Sequence, residues 1–351
     1  MTFFLLPEIT KLNQMDNILY EAQRQGRITF YMTSYGEEAT HFGPAAALES
    51  QDLVFGQYRE PGVLMWRGFK FEDFINQCYG NEADLGKGRQ MPIHYGCRDL
   101  NYMTIKSTLT SQMLHAVGAS YAFKMANKDS ISIVYFGDGA ASEGDAYAAF
   151  HFASTLDCPM IFLCRNNGYA ISTPINEQYR GDGVAARGPS VGIPTLRIDG
   201  NDIFACYIAV KESRKLAIEQ NRPVLIEAMT YRISHHSTSD DSTSYRERDE
   251  VKKWTEQEHP LVRIEKYLKS QNAFNEKESK EFSEKTRKEI IETLHRQEKV
   301  NKPSIDKLFT DVYDQMTPIQ KEQYESLKKH LKQYSEHYPK NYQKIEQIIS
   351  K

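Results

Sequence analysis

Residues 135–150 read YFGDGAASEGDAYAAF. The stretch completes an apolar, β-branched run, ISIVYF at 131–136, then sets Asp138 between Gly137 and Gly139. A continuous apolar run of that length reads as a strand buried on both faces, as in a parallel sheet. Residues 142–157, SEGDAYAAFHFASTLD, read as the helix that follows, with Ser142 as its cap and Asp145 completing a capping box. PMIFLC at 159–164 is the next strand. An aspartate between two glycines at a strand end is a turn by default. It becomes a candidate ligand when a second group is brought to meet it.

The same rhythm runs from about residue 100 to 235. Residues 109–126 read as a helix, Asp202 opens another that runs to about Gln220, and PVLIEAMTYRI at 223–233 is a further strand. Strands alternating with helices predict the α/β class, a parallel sheet flanked by helices. Residues 8–25 read as an amphipathic helix within an N-terminal helical arm spanning 1–30. Two Gly-rich stretches, 30–70 and 86–96, read as ordered loop, and 234–248 as a polar loop. After residue 249 the chain is strongly charged with little strand signal, which predicts a helical C-terminal extension over 249–351 of one domain, 1–351. The charged run at 277–299 reads as a solvated helix face.

Composition narrows the function classes. Lys plus Arg is 44 and Asp plus Glu is 47, a net charge of −3, which argues against nucleic-acid and anionic-membrane partners. The five cysteines, Cys78, Cys97, Cys158, Cys164 and Cys206, form no CxxC pair and fit buried thiols in a reducing compartment. No run reaches the roughly 18 apolar residues of a membrane span. The opening MTFFLLPEIT lacks the basic segment of a secretory signal and the Arg/Ser richness of a transit peptide. That predicts either a bacterial cytoplasmic protein or a mitochondrial matrix protein whose presequence has been trimmed.

The second group for Asp138 lies in CRNNGYAIS at 164–172. The span between the motifs holds one helix and a returning strand, so both strand ends open on one edge of a parallel sheet. That edge is the usual ligand crevice. Asp138 and Asn167 would converge there. A carboxylate and an amide oxygen are hard ligands that suit magnesium, which commonly shares a phosphate. The helix start beyond Asp138 favours an anion, glycines allow close backbone approach, and Arg59 and Arg165 supply counter-charge. A NAD-binding reading is disfavoured because GDGAASEG is not GxGxxG.

GDG…NN at this spacing resembles the thiamine-diphosphate motif. The longer match, carried by FGQYRE, GKGRQMPIHYG, GDGAASEGDAYAAF, CRNNGYAISTP, EQYRGDGVAARG, IDGNDIFA and EAMTYRISHHSTSDDSTSYR, resembles the alpha-subunit family of the branched-chain 2-oxo acid dehydrogenase decarboxylase component, from about residue 15 to 345. The resemblance implies the diphosphate-binding half of a thiamine diphosphate fold. Asp138, the Asn167 side chain and the Tyr169 carbonyl would bind magnesium, although mitochondrial members often carry Glu where Asp138 stands. Tyr58, Arg59, Ser107, Gly139, Ala140, Arg165 and His236 would hold the diphosphate, with Leu109 beneath the cofactor. His236 and Ser107 would be the catalytic side chains, His236 exchanging a proton near the reacting carbonyl.

Further implications concern regulation and partners. Ser237 matches the family's phosphorylatable serine, while Glu247 replaces a second one. TIKSTLTSQ matches a loop that binds potassium; Lys106 stands where serine is usual, so its ammonium would replace the ion among Thr108, Ser111 and Gln112. The carboxylate that activates the cofactor lies on a separate beta subunit, so the chain would act in an α2β2 heterotetramer. It would take a 2-oxo acid substrate and deliver its acyl group to a lipoyl acyltransferase core. Phe30 and Tyr58 are expected to wall the substrate pocket. The alternatives are a pyruvate dehydrogenase alpha subunit and a catalytically silent scaffold subunit.

Overall fold

The computed structural model describes residues 2–339 and 341. The parts of the expected extension at residue 340 and at 342–351, and residue 1 of the N-terminal arm, lie outside the described residues. Six strands form one sheet: β1 (Leu53–Phe55), β2 (Tyr102–Met103), β3 (Ser132–Gly137), β4 (Met160–Asn166), β5 (Thr195–Asp199) and β6 (Val224–Met229). Their spatial order is β2-β1-β3-β4-β6-β5, and every pairing is parallel. The α/β expectation holds, and β3 and β4 fall on the predicted apolar runs, buried on both faces except at Gly137.

The order reverses between β1 and β3, since the chain leaves β1 toward the β2 edge and then returns to β1's other side. Such a switch opens a crevice beyond the strands' C-terminal ends. Gly137 pairs with Arg165, and Asn166 with Met229, so the ends of β3, β4 and β6 are level. Loops carrying Tyr58, Asp138, Asn167 and His236 therefore leave the sheet at the same edge.

Two local readings change. Ser142 does not cap the helix: Ala140–Ser142 form a 3-10 turn, and the helix runs Gly144–Thr155 with Glu143 at the cap position and no side-chain cap bond. Ser142 N–H is already bonded to Gly139 O at 3.1 Å, which places the serine inside the turn rather than before it. Asp145 still lies in the helix's first turn, where a carboxylate favours the dipole. The stretch 30–70 is not simply loop; it contains helices Ala39–Ala47 and Pro61–Trp66 as well as β1. The first holds Gly43 and Pro44, poor helix formers that packing overrides. A Cβ at Gly43 would stand 2.7 Å from the Cys206 Cβ, so glycine lets this helix lie directly on helix Ile203–Gln220. That second helix is capped as expected, Asp202 accepting from Phe204 and Ala205 N–H.

The N-terminal helix, Thr2–Arg24, buries Leu5, Ile9, Leu12, Met15, Ile18, Leu19 and Ala22, a stripe at helical spacing. Its Asp16 is fully buried and accepts hydrogen bonds from Tyr31 Oη (2.8 Å) and Ser34 N (2.6 Å), docking the arm on the loop that leads to Glu37. Burial pushes Asp16 up to about 7, and the nearby Glu38 up to about 8. Both folded-state values lie above the unfolded ones, so these groups contribute stability at low pH that is lost as pH rises from about 4 through 7–8. Asp16→Asn mimics the protonated acid. Thermal melts at pH 5 and pH 8 are expected to show a smaller alkaline loss for the variant than for the wild type; equal losses would refute the buried-acid account.

Helices Pro260–Ser270 and Glu276–Gln297 follow in the C-terminal part, as expected. They pack against the body, Arg263 reaching Asp199 at the end of β5 (2.7 Å) and Ser283 receiving a bond from Gln14 (2.9 Å). Among the described residues, no helix is long and apolar enough to cross a membrane.

Candidate active site

The loop after β1 begins Gly56-Gln57-Tyr58-Arg59-Glu60. Gln57 Oε1 accepts from Gly137 N at 2.8 Å, stitching this loop to the end of β3. Glu60 Oε2 accepts from the backbone of Gln57 (2.8 Å) and Tyr58 (3.0 Å), which fixes the turn. Glu60 then turns its other oxygen to Arg165, whose Nε donates at 2.6 Å. Arg165 also pairs with Glu37. These three side chains are essentially dry, so the two carboxylates raise the guanidinium's pKa against its burial.

Asp138 is 1% exposed and accepts from Gln178 Nε2 at 2.8 Å. Burial raises its pKa; Gln178 and the Asn167 backbone N–H oppose the shift, and the charge of Glu37 adds to it. Asn167 donates its Nδ2 to Glu37 Oε1 (3.0 Å) and accepts at Oδ1 from Tyr169 N (3.2 Å). Gly168, at φ +87°, makes that tight turn possible. The two loops touch: a Cβ at Gly139 would lie 2.6 Å from the Ala170 Cβ. Asp138 and Asn167 are therefore brought together, as the strand topology predicts. Tyr169 opens the small antiparallel ladder formed by Tyr169–Ala170 and Thr173–Pro174. Gly139 and the buried Ala140 start the 3-10 turn.

His236 lies where the loop after β6 crosses the β1 loop. Arg59, 2% exposed, donates to Thr33 O (2.7 Å) and His236 O (2.9 Å). The imidazole Nδ1 faces Arg59 at 3.4 Å and Arg232 at 3.3 Å. Guanidinium groups only donate, so Nδ1 is the acceptor and the ring proton sits on Nε2. Burial, then the charges of Arg59 and Arg232, press the pKa down to about 3. The ring is neutral at physiological pH. Tyr58 meets it edge-on, ring centroids 6.1 Å apart.

The loop around His236 is held shut. Asp240 accepts from His236 N (2.7 Å) and Tyr245 Oη (2.6 Å), and Arg232 donates to Tyr245 Oη (2.8 Å). Ser237 is buried at 7% exposure and its Oγ accepts from Ser239 N. A modifying enzyme would reach it only after the loop opens.

Ser107 and Leu109 lie on an exposed stretch before helix Ser111–Met125. Ser107 Oγ is 2.7 Å from His94 Nε2, and His94 Nδ1 lies 3.2 Å from Pro92 O. The carbonyl fixes the tautomer, so Ser107 donates to His94. Leu109 leaves 37% of its surface exposed. The expected potassium group is less convergent. Lys106 is exposed with Nζ 3.4 Å from His115 Nδ1; Ser111 donates to Thr108 O (2.9 Å); Gln112 turns inward and donates to Tyr135 O (3.1 Å).

Glu37, His94, Gln178 and Arg232 were absent from the sequence-derived set. Three of them lie in stretches that the motif match quotes, at 94, 178 and 232. Glu37 precedes all of these stretches, and only the fold brings it to Arg165 and Asn167.

The donor set can be tested against a magnesium-bound diphosphate. Four guanidinium groups, Arg59, Arg165, Arg232 and Arg246, surround this edge with the carboxylates Glu37, Glu60, Asp138 and Asp240. Arg232 Nε and Arg246 Nε are buried without a partner. Burial first, then the neighbouring Arg59, lower the Arg232 pKa. An anion would give the unpartnered guanidinium N–H groups an acceptor, and the oxygen donors beside Asp138 suit a hard cation. The residues fit the group.

The family described as dehydrogenase E1 component matches residues 8–306. This chain belongs to the dehydrogenase E1 component family. Thiamine diphosphate is the cofactor that membership implies, in agreement with the GDG…NN pair. Among relatives, "2-oxoisovalerate dehydrogenase subunit alpha, mitochondrial" of Homo sapiens is 58% identical over 335 residues, 95% of this chain and 75% of that protein. The proteins of the same name from Caenorhabditis elegans and Dictyostelium discoideum are 57% and 56% identical, each over 94% of this chain and covering 77% and 75% of their own length. This E1 chain is thus similar to alpha subunits across distant eukaryotes.

Proposed function

We propose that this E1 chain is the alpha subunit of a branched-chain 2-oxo acid dehydrogenase. The enzyme oxidatively decarboxylates acids such as 3-methyl-2-oxobutanoate and passes the acyl group to the lipoyl group of the acyltransferase component. The observation that carries this reading is the 58% identity over 95% of the chain to a relative named 2-oxoisovalerate dehydrogenase subunit alpha. The relatives' mitochondrial names favour the matrix over the bacterial cytoplasm.

Asp138, the Asn167 amide oxygen and the Tyr169 carbonyl are assigned to magnesium. Tyr58, Arg59, Ser107, Gly139, Ala140, Arg165 and His236 are assigned to the diphosphate, and Arg232 adds counter-charge. When bound, thiamine diphosphate supplies the carbon nucleophile and the electron sink for loss of carbon dioxide. The chain's own part is electrostatic and positional. Neutral His236 offers Nε2–H to the oxygen of the 2-oxo group, where negative charge develops. Ser107, held by His94, is fixed as a polar group on the same side, and Leu109 offers an apolar support. Arg165 is occupied by Glu37 and Glu60, so it acts on the diphosphate mainly through its field and as a strut between the β1 and β4 loops. Ser237 is assigned as a regulatory phosphosite, because a phosphate there would oppose the neighbouring anion. Lys106 is assigned as a tethered substitute for potassium.

These groups form the diphosphate-binding half of a site. A beta subunit supplies the activating carboxylate in an α2β2 assembly. The chain alone is expected to give negligible decarboxylation until that subunit is added. The reconstituted enzyme is expected to turn over 3-methyl-2-oxobutanoate with higher kcat/KM than pyruvate; a preference for pyruvate would instead support the pyruvate dehydrogenase reading. Calorimetric titration with thiamine diphosphate and magnesium separates both from a silent scaffold, which would bind neither.

A further inference from the structure

We propose that Glu37 is a positioning residue that aims the Asn167 amide at the divalent ion and thereby sets the site's metal affinity. The proposal rests on the assignment of Asp138 and Asn167 to magnesium. A side-chain amide has nearly the same shape either way round, one end accepting and the other donating. A cation is served only by the oxygen, so something must hold the NH2 end away. Glu37 is fully buried and its Oε1 takes Asn167 Nδ2 at 3.0 Å. A carboxylate has no proton to give, so it accepts only the NH2 end. Glu37 cannot swing to release it, because Arg165 holds its other oxygen and Arg59 Nε lies 3.6 Å from Oε1. The amide oxygen is left on the side of Tyr169 N, in the loop that touches Gly139. One buried carboxylate thus couples the guanidinium assigned to the phosphates with the amide assigned to the ion. Outer groups of this kind commonly change metal affinity 10–100-fold.

The test exploits an exchange of charge. Glu37→Gln can present either amide end to Asn167. Adding Asn167→Asp moves the negative charge from position 37 to position 167. The amide now at position 37 can donate to the carboxylate at position 167 and accept from Arg165, with net charge and atom count unchanged. Mn2+ binding is measured by paramagnetic resonance of the free ion, on the assembled αβ enzyme with thiamine diphosphate present. Glu37→Gln is expected to weaken Mn2+ binding by about 10–100-fold, and the double variant to recover most of that loss. Melting curves of the same assemblies establish that each is folded. Weakened binding in Asp138→Ala together with wild-type binding in Glu37→Gln overturns the proposal alone. So does a double variant no tighter than Glu37→Gln. Wild-type binding in Asp138→Ala overturns the metal-site assignment itself, and the proposal with it.

Discussion

Asp138→Ala, assembled with its beta subunit, is expected to bind neither magnesium nor thiamine diphosphate at concentrations that saturate the wild type. Its decarboxylation should fall by well over about 100-fold, since that is the upper scale for losing a group that merely supports a ligand. Asp138 is the carboxylate where the β3 and β4 loops touch, and burial has removed the water that would otherwise substitute for it. Asp138→Asn keeps the shape and a partner for Gln178 Nε2 while removing the charge. It is expected to fall nearly as far as Asp138→Ala, because a neutral amide cannot balance a hard dication. Calorimetry of both variants measures the effect; near-normal cofactor uptake in the alanine variant would remove the basis of the site. Both substitutions should leave the fold intact, since Asp138 lies in the turn after β3 and each change removes a charge that burial disfavours. Asp138 is also already held against its own charge, its pKa raised by burial and by Glu37.

The two strands that decide this site were legible because each is a short apolar run buried on both faces, ending in a motif with a strong turn signal. Their meeting followed from topology alone: parallel strands linked by one helix end at one edge. What was hidden depends on packing. Helix Ala39–Ala47 contains Gly43 and Pro44, and only contact with the helix at Cys206 explains why it forms. β2 has two residues and β1 three, too few to show a period. β5 alternates but exposes much of its surface at the sheet edge. The cap at Ser142 was a sound local reading that a 3-10 turn displaced. Glu37 carried no readable signal, being one acidic residue of an adjacent pair; its meaning comes from Arg165, far away in sequence. The same holds for the tautomer of His236, which two arginines fix.

His236→Ala is expected to lower kcat by about 10²–10⁴-fold, the range for losing a positioned proton donor, while metal affinity changes little. That split separates a catalytic from a structural role, because a collapsed loop would weaken cofactor binding as well. The pH dependence is the sharper test. With Nδ1 accepting from Arg59 and Arg232, a second proton would put three positive groups together, and the ring's pKa is held near 3. His236 therefore stays neutral from pH 5 to 8, and kcat/KM should show no limb near 6.5 that disappears in His236→Ala. Such a limb would overturn the neutral-donor role. Stability gives the matching sign. The folded-state pKa lies below the unfolded value of about 6.5, so the unfolded chain takes up the proton first, and His236 costs stability as pH falls from about 6.5 toward 3. Removing it should narrow the loss in melting temperature between pH 7.5 and pH 5. Burial and the same two arginines thus keep the imidazole a neutral Nε2–H donor and make the folded protein sensitive to acid.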